Sequence, residues 1–265
     1  MLLKYYYFFK NSMAEALVYR ANVFLMLLAQ LISLTVFIFL WQAIYAENNR
    51  VGSYSLEELI VYYVLSSFLG FVIQGADVAW WIGDEINLGK ITNYILRPVN
   101  YFWATFSAVL GKVFFKLSLA LVLVFLLSFF NRELFLEVFS DGKKWFYFSV
   151  GTFLSFCLFF SFFFVVGITT FWLETVKGVN FFVRMVMFFL AGSIIPLDLL
   201  PNFLIKINNF LPFRYIIWWP IQIFQNKVAL NFLTFLPIMG WIIFFYFLGR
   251  FIFKKGVRKY EGFGA

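Results

Sequence analysis

The stretch "ANVFLMLLAQLISLTVFIFLWQAIYA", Ala21 to Ala46, runs without one charged side chain. A bilayer core about 30 Å thick is crossed by roughly 20 apolar residues wound as a helix, so this stretch is long enough to span one. Five further segments meet the same requirement: Leu59–Ala76, Val113–Phe130, Trp145–Trp172, Val179–Pro196 and Phe232–Phe253. The whole chain agrees. Of 265 residues, 63% are hydrophobic and 13% are charged, against roughly 45–50% and about 25% in soluble domains. One core cannot hide that excess, so much of it must face lipid. The prediction is an all-α polytopic membrane protein with six transmembrane helices, one domain over residues 1–265. The 42 phenylalanines read as lipid-facing bulk. The basic start "MLLKYYYFFK" invites comparison with a signal peptide. The following segment is too long for an h-region and shows no small-residue cleavage site, so it is expected to remain.

Absent residues narrow the chemistry. No histidine occurs, which excludes Ser–His and Cys–His nucleophile pairs and any His-bearing metal site. The single cysteine, Cys157 in "FLSFCLFFSF", allows no intrachain disulfide and reads as a small buried hydrophobe. Neither a phosphate loop, G-x-x-x-x-G-K-[ST], nor G-x-G-x-x-G is present. No catalytic residue, cofactor or metal is therefore expected on this chain. The net charge of +8 fits membrane topology and anionic headgroups rather than nucleic acid.

An even number of spans puts both termini on one side. With that side cytoplasmic, fourteen Lys and Arg residues fall inside and seven outside, Arg50, Arg132 and Lys227 among the latter. The positive-inside rule favours this orientation, helped most by the tail "RFIFKKGVRKY". Lys112, Lys116 and Arg184 fall within apolar surroundings. They are expected near inner helix ends, snorkelling to the headgroups, the sharper alternative being relay or substrate charges inside the bundle. No acid lies deep in a span, which argues against a proton- or sodium-driven carrier. Gln30, Gln42 and Gln74 fit either a polar path or interhelical hydrogen bonds.

Between the second and third spans lies "WWIGDEINLGKITNYILRPVN", Trp80 to Asn100. Ile82 and Ile86 are four apart, and Leu88, Ile91 and Ile95 follow at three and four, which predicts short amphipathic helices. Gly89 should break them and Pro98 stop them. Spacing alone leaves two readings open, an interfacial helix with a wet face and a docking helix for a soluble protein. The rest of the polar gaps are short. Beyond the fifth span, Leu197 to Asn231 is apolar yet broken by Pro201, Pro212 and Pro220. It must lie at the outer interface or tuck back against the bundle, with Trp218 and Trp219 at headgroup depth.

"DEINLGKITNYILRPVN" resembles the signature of bacterial ABC transporter permeases of the type-2 exporter class, at Glu85, Ile86, Gly89, Lys90, Leu96, Arg97, Pro98 and Val99. "GSIIPLDLLPNFLIKINNFLPFRY", Gly192 to Tyr215, resembles the Pro-rich segment that follows the fifth helix of the same permeases. "VAWW", Val78 to Trp81, carries no pattern of that class. The resemblance implies a cytoplasmic coupling helix built from Asp84, Glu85, Ile86, Gly89, Lys90 and Ile91. Ile86 and Ile91 would anchor it in a separate ATPase subunit, with the motif Leu96, Arg97, Pro98 and Val99 following. It also implies an N-terminal interfacial elbow helix in "KYYYFFKNSMAEALVYR", and an outer re-entrant segment marked by Pro196, Pro201, Pro212 and Phe213. The implied assembly is a permease paired with a second copy or paralogue and with cytoplasmic ABC ATPase subunits that hold ATP and Mg. It would sit in the lipid of a bacterial cytoplasmic membrane with both termini inside, exporting a hydrophobic or amphipathic drug, peptide or lipid-like molecule. The alternative is a membrane assembly or structural protein with the same hydropathy and no ATPase partner. An intramembrane enzyme has least support, for want of histidine and of a mid-span acid pair.

Overall fold

A computed structural model describes residues 3–47, 51–74, 77–128, 141–173, 175–229 and 231–260. Among these residues the secondary structure is helical. Helix α1 (Leu3–Val18) leads into α2 (Arg20–Glu47). Helix α3 (Leu56–Leu69) continues through a π-helical turn, Gly70–Gln74. Helix α4 (Val78–Asn87) and the single turn α5 (Thr92–Ile95) precede α6 (Tyr101–Ser128). Helix α7 (Gly142–Ile168) ends in a 3-10 turn, Thr169–Phe171. Then come α8 (Lys177–Leu190), α9 (Asn202–Asn209), α10 (Trp218–Phe224) and α11 (Leu236–Lys259).

Five helical stretches among the described residues are long and apolar enough to cross a membrane: Arg20–Ala46, Leu56–Asn87, Tyr101–Val122, Gly142–Phe171 and Phe232–Lys259. The expected span Val179–Pro196 is not a sixth. Its helix, α8, has 14 residues, about 21 Å at 1.5 Å each, short of the hydrocarbon thickness. Gly192, at φ +81°, turns the chain out of the helix. The stranded carbonyls are satisfied by side chains and one backbone amide from elsewhere. Asn208 Nδ2 donates to Leu190 O at 2.8 Å, and the Trp218 amide to Ala191 O at 3.0 Å. Tyr62 Oη donates to Gly192 O at 2.6 Å and Tyr63 Oη to Ile194 O at 2.8 Å. Irregular backbone in apolar surroundings is tolerated on this condition. Residues 129 and 130 of the expected third span, Ala76 of the second, and Arg50 and Arg132 lie outside the described residues.

Helix α7 is the centre of the bundle, with α4, α10 and α11 packed on it. Its Phe159, Phe160, Phe163 and Phe164 are fully buried. Phe102 of α6 meets Phe164 edge to face at 4.9 Å and Phe160 at 5.2 Å, contacts worth ~0.5–1.5 kcal/mol each. The phenylalanines are therefore divided between core and exterior; Phe181, Phe182, Phe247 and Phe251 are exposed. Cys157, also on α7, is half-buried. Helix α2 packs chiefly on α3, and its Leu25, Ile32, Val36 and Phe39 are left exposed.

The Pro-rich segment tucks back against the bundle. Every residue of α10 is buried, Trp218 and Trp219 included. Trp218 Nε1 donates to Asp198 at 3.0 Å, and Tyr54 Oη donates to the same carboxylate oxygen. Gln222 Nε2 donates to Tyr54 Oη at 2.8 Å. Burial first, then the Asp198 bond and charge, push the Tyr54 hydroxyl far above the ordinary tyrosine range, so it stays a donor. Pro196 precedes a 3-10 turn, Pro201 caps α9 and Pro212 opens the turn Phe213–Tyr215. Phe213 packs edge to face on Phe162 at 5.3 Å.

Candidate functional site

At the opposite end the chain makes a corner from α4, α5 and the start of α6. Gly89 creates it: at φ +72° it ends α4, and a Cβ there would meet only Tyr260 Oη at 3.6 Å. The requirement is conformational rather than spatial. The Ile91 amide then donates back to Glu85 O at 3.1 Å. Helix α1 clips the outside of the corner. Lys4 Nζ donates to Pro98 O, the Asn100 amide donates to Tyr5 Oη at 3.3 Å, and Phe8 stacks on Tyr94 at 5.8 Å. A helix thus occupies the stretch where the elbow helix was expected, and it is fastened to the motif.

The expected coupling residues separate into two sets. Glu85, Ile86 and Ile91 are 7%, 3% and 0% exposed, inside this chain's own core. Ile86 and Ile91, expected as anchors for a partner, are packed within this chain. The Glu85 carboxylate accepts from Tyr101 Oη at 2.7 Å and Tyr94 Oη at 3.1 Å, tying α4 to α5 and α6. Burial, with the Glu85 charge behind it, holds the Tyr94 hydroxyl above its usual range. Asp84 is half-buried and accepts from Trp80 Nε1 at 2.9 Å. The outward set is Leu88, Lys90, Leu96, Arg97 and Pro98, with Gly89 and Val99 half-buried between them. Leu88 is 65% and Leu96 79% exposed. The pair Ile82 and Ile86 is buried as α4 packs on α7, whereas the expected stripe Leu88, Ile91 and Ile95 is split, with Ile91 buried and Leu88 and Ile95 exposed.

Close packing holds α4 in place. A Cβ on Gly167 of α7 would lie 2.8 Å from Ile82 Cβ and 3.0 Å from Ala79 Cα. Small residues here let the backbones approach, the means by which helices associate in lipid.

The other end of α4 reaches a cavity of about 660 Å3 between α2, α3, α6 and α8, lined by Gln30, Ser33, Ser66, Asp77, Lys116 and Arg184 among others. Arg184 pairs with Asp77, the N-cap residue of α4. Lys112 pairs with Glu15 of α1 at 3.1 Å and lies over the Trp81 ring. Lys116 is buried with its ammonium 5.8 Å from the Phe71 ring centre. Each of the three cations has a partner within the chain, and Lys116 alone is buried. Of the glutamines, Gln30 faces the cavity and Gln42 is exposed.

Five membrane-length helices, with α4 running from a cavity to an exposed corner, make this a polytopic membrane protein. The chain matches the family model described as ABC-2 family transporter protein over residues 31–264. It belongs to that family and is a permease of the ABC-2 type. Helix α1 and the first turns of α2 precede the matched region. No curated protein sequence matches the chain.

Proposed function

We propose that this chain is the membrane-spanning subunit of an ATP-driven exporter, docking a cytoplasmic ATPase subunit at the α4–α6 corner. The observation that carries the reading is the double attachment of α4. Its C-terminal end supports the exposed tip of Leu88 and Leu96, and its N-cap, Asp77, holds Arg184 in the cavity wall. Ten helical residues form a rod about 15 Å long. A push on the tip therefore reaches the cavity without passing through flexible chain. ATP and Mg would be held by the partner, whose closure supplies the push. The cavity mixes serines, a glutamine and three charges with aromatic walls, which suits an amphipathic substrate. Exposed apolar faces on α2 and α8 flank it, and a second permease copy or paralogue would complete the path there.

Affinity purification of the tagged chain from its native membrane in mild detergent should bring down a phosphate-loop ATPase in stoichiometric amount. Recovery of the permease alone, or with partners lacking a phosphate loop, would favour the assembly-protein reading.

Orientation is tested separately. In a Cys157→Ala background, Asn93→Cys at the corner and Ala229→Cys beyond α10 are both exposed positions. An impermeant thiol reagent on intact cells should label position 229 and leave 93 unlabelled until the cells are opened. Labelling of position 93 on intact cells would invert the topology.

A further inference from the structure

A second cavity, about 690 Å3, opens between the α5–α6 corner and the last turns of α11. Arg97, Arg250, Lys254 and Arg258 line it together with Phe251 and Val257, and no Asp or Glu is among its lining residues. The three ion pairs formed among the described residues use none of these cations. Glu85 stands behind the wall, its carboxylate engaged by Tyr94 and Tyr101. Arg250, Lys254 and Arg258 recur every four residues and so share one face of α11. Beside them, Ile243, Phe247 and Phe251 form an exposed apolar ridge at the same spacing. A lipid-facing ridge that runs into a basic row marks the depth where hydrocarbon gives way to headgroups.

We propose that this cavity binds the phosphate headgroup of an anionic phospholipid whose acyl chain lies along the Ile243–Phe247–Phe251 ridge. Charge selects the headgroup, since basic pockets beside membrane helices attract anionic lipid. The ridge selects a lipid over a soluble anion, because a free phosphate would gain nothing from it. The volume falls in the range of about 300–1,000 Å3 usual for small-molecule sites. The docking role uses Leu88 and Leu96, neither of which lines this cavity, although Leu96 lies between the lining residues Ile95 and Arg97.

The test uses full-length protein in mild detergent, equilibrated with equal phosphatidylglycerol and phosphatidylcholine, and counts retained lipid by native mass spectrometry. Wild type should retain phosphatidylglycerol preferentially. Lys254→Gln with Arg258→Gln should lower that retention by about tenfold, and Arg97→Gln alone by about threefold. The comparison is Lys255→Gln with Lys259→Gln, which removes the same charge from the same helix end outside the cavity lining; retention should change less than about twofold. Because Arg97 lies on a different element, a local defect in α11 would not reproduce its loss. Equal losses from both pairs would reduce the site to a diffuse basic tail. Displacement of the lipid by about 10 mM inorganic phosphate would make it a soluble-anion site. Unchanged lipid retention with loss of the ATPase subunit would make it a protein-docking surface. Any of these three results overturns the proposal.

Discussion

Leu96→Asp is expected to release the ATPase subunit from a permease that remains folded and inserted. Leu96 is the most exposed apolar side chain of the corner and makes no contribution to the buried cluster of this chain. Docking would desolvate it, and a carboxylate buried there without a partner costs several kcal/mol. Leu88→Asp should act in the same direction. Lys90→Glu, at a solvated position, should weaken association less and make it more sensitive to salt. Ile86→Asp is the informative contrast, for Ile86 lies inside the permease and its substitution should lower the yield of folded protein first. The measurements are pull-down of the ATPase subunit and substrate-stimulated ATP hydrolysis. If Leu96→Asp and Leu88→Asp both bind at wild-type level, the corner is not the docking surface.

Gly167→Leu should strongly destabilise the bundle itself. The added Cβ alone would sit 3.0 Å from the Ala79 backbone and 2.8 Å from Ile82 Cβ, so α4 and α7 must separate before the rest of the side chain is placed. Overpacking typically costs ~1–3 kcal/mol, and more where backbone rather than a flexible side chain blocks the way. Displaced α4 would carry Asp77 away from Arg184 and Glu85 away from its tyrosines. Gly178→Leu makes the same chemical change where a Cβ would meet nothing within 4 Å. Size-exclusion profiles and thermal unfolding in detergent should show Gly167→Leu aggregated or strongly destabilised and Gly178→Leu near wild type. Equal stability of the two would mean that α4 does not rest on Gly167.

The same contacts explain which readings survived the structure. Long apolar runs such as Ala21–Ala46 declare themselves, because lipid imposes one requirement on every residue in the run and composition alone records it. Some break points were legible too. Gly89 takes the left-handed backbone that glycine adopts without strain, and Pro201 and Pro212 stand at helix starts, whereas Gly192, inside the expected span Val179–Pro196, gave no such signal. The motif from Glu85 to Val99 placed the chain in its family before any coordinate was known.

Orientation of side chains was another matter. A spacing of four pairs Ile82 with Ile86, and spacings of three and four join Leu88, Ile91 and Ile95, and both are silent on what covers those faces. Only the packing of α4 on α7 shows that Ile82 and Ile86 are covered by this chain, which leaves Leu88 and Leu96 exposed. The length of the fifth hydrophobic stretch was misread for a similar reason. Hydropathy runs smoothly through Val179–Pro196, while Tyr62, Tyr63, Asn208 and Trp218 supply from distant positions the hydrogen bonds that let the helix stop at Leu190. Lys116 and Arg184 likewise looked like charges seeking water until α3 and α4 brought Phe71 and Asp77 beside them. By itself, then, the sequence determined membrane insertion, the helical class, the break at Gly89 and the family. The tertiary structure decided which faces are spent inside, because burial of a polar group or an apolar stripe depends on partners far away in the chain.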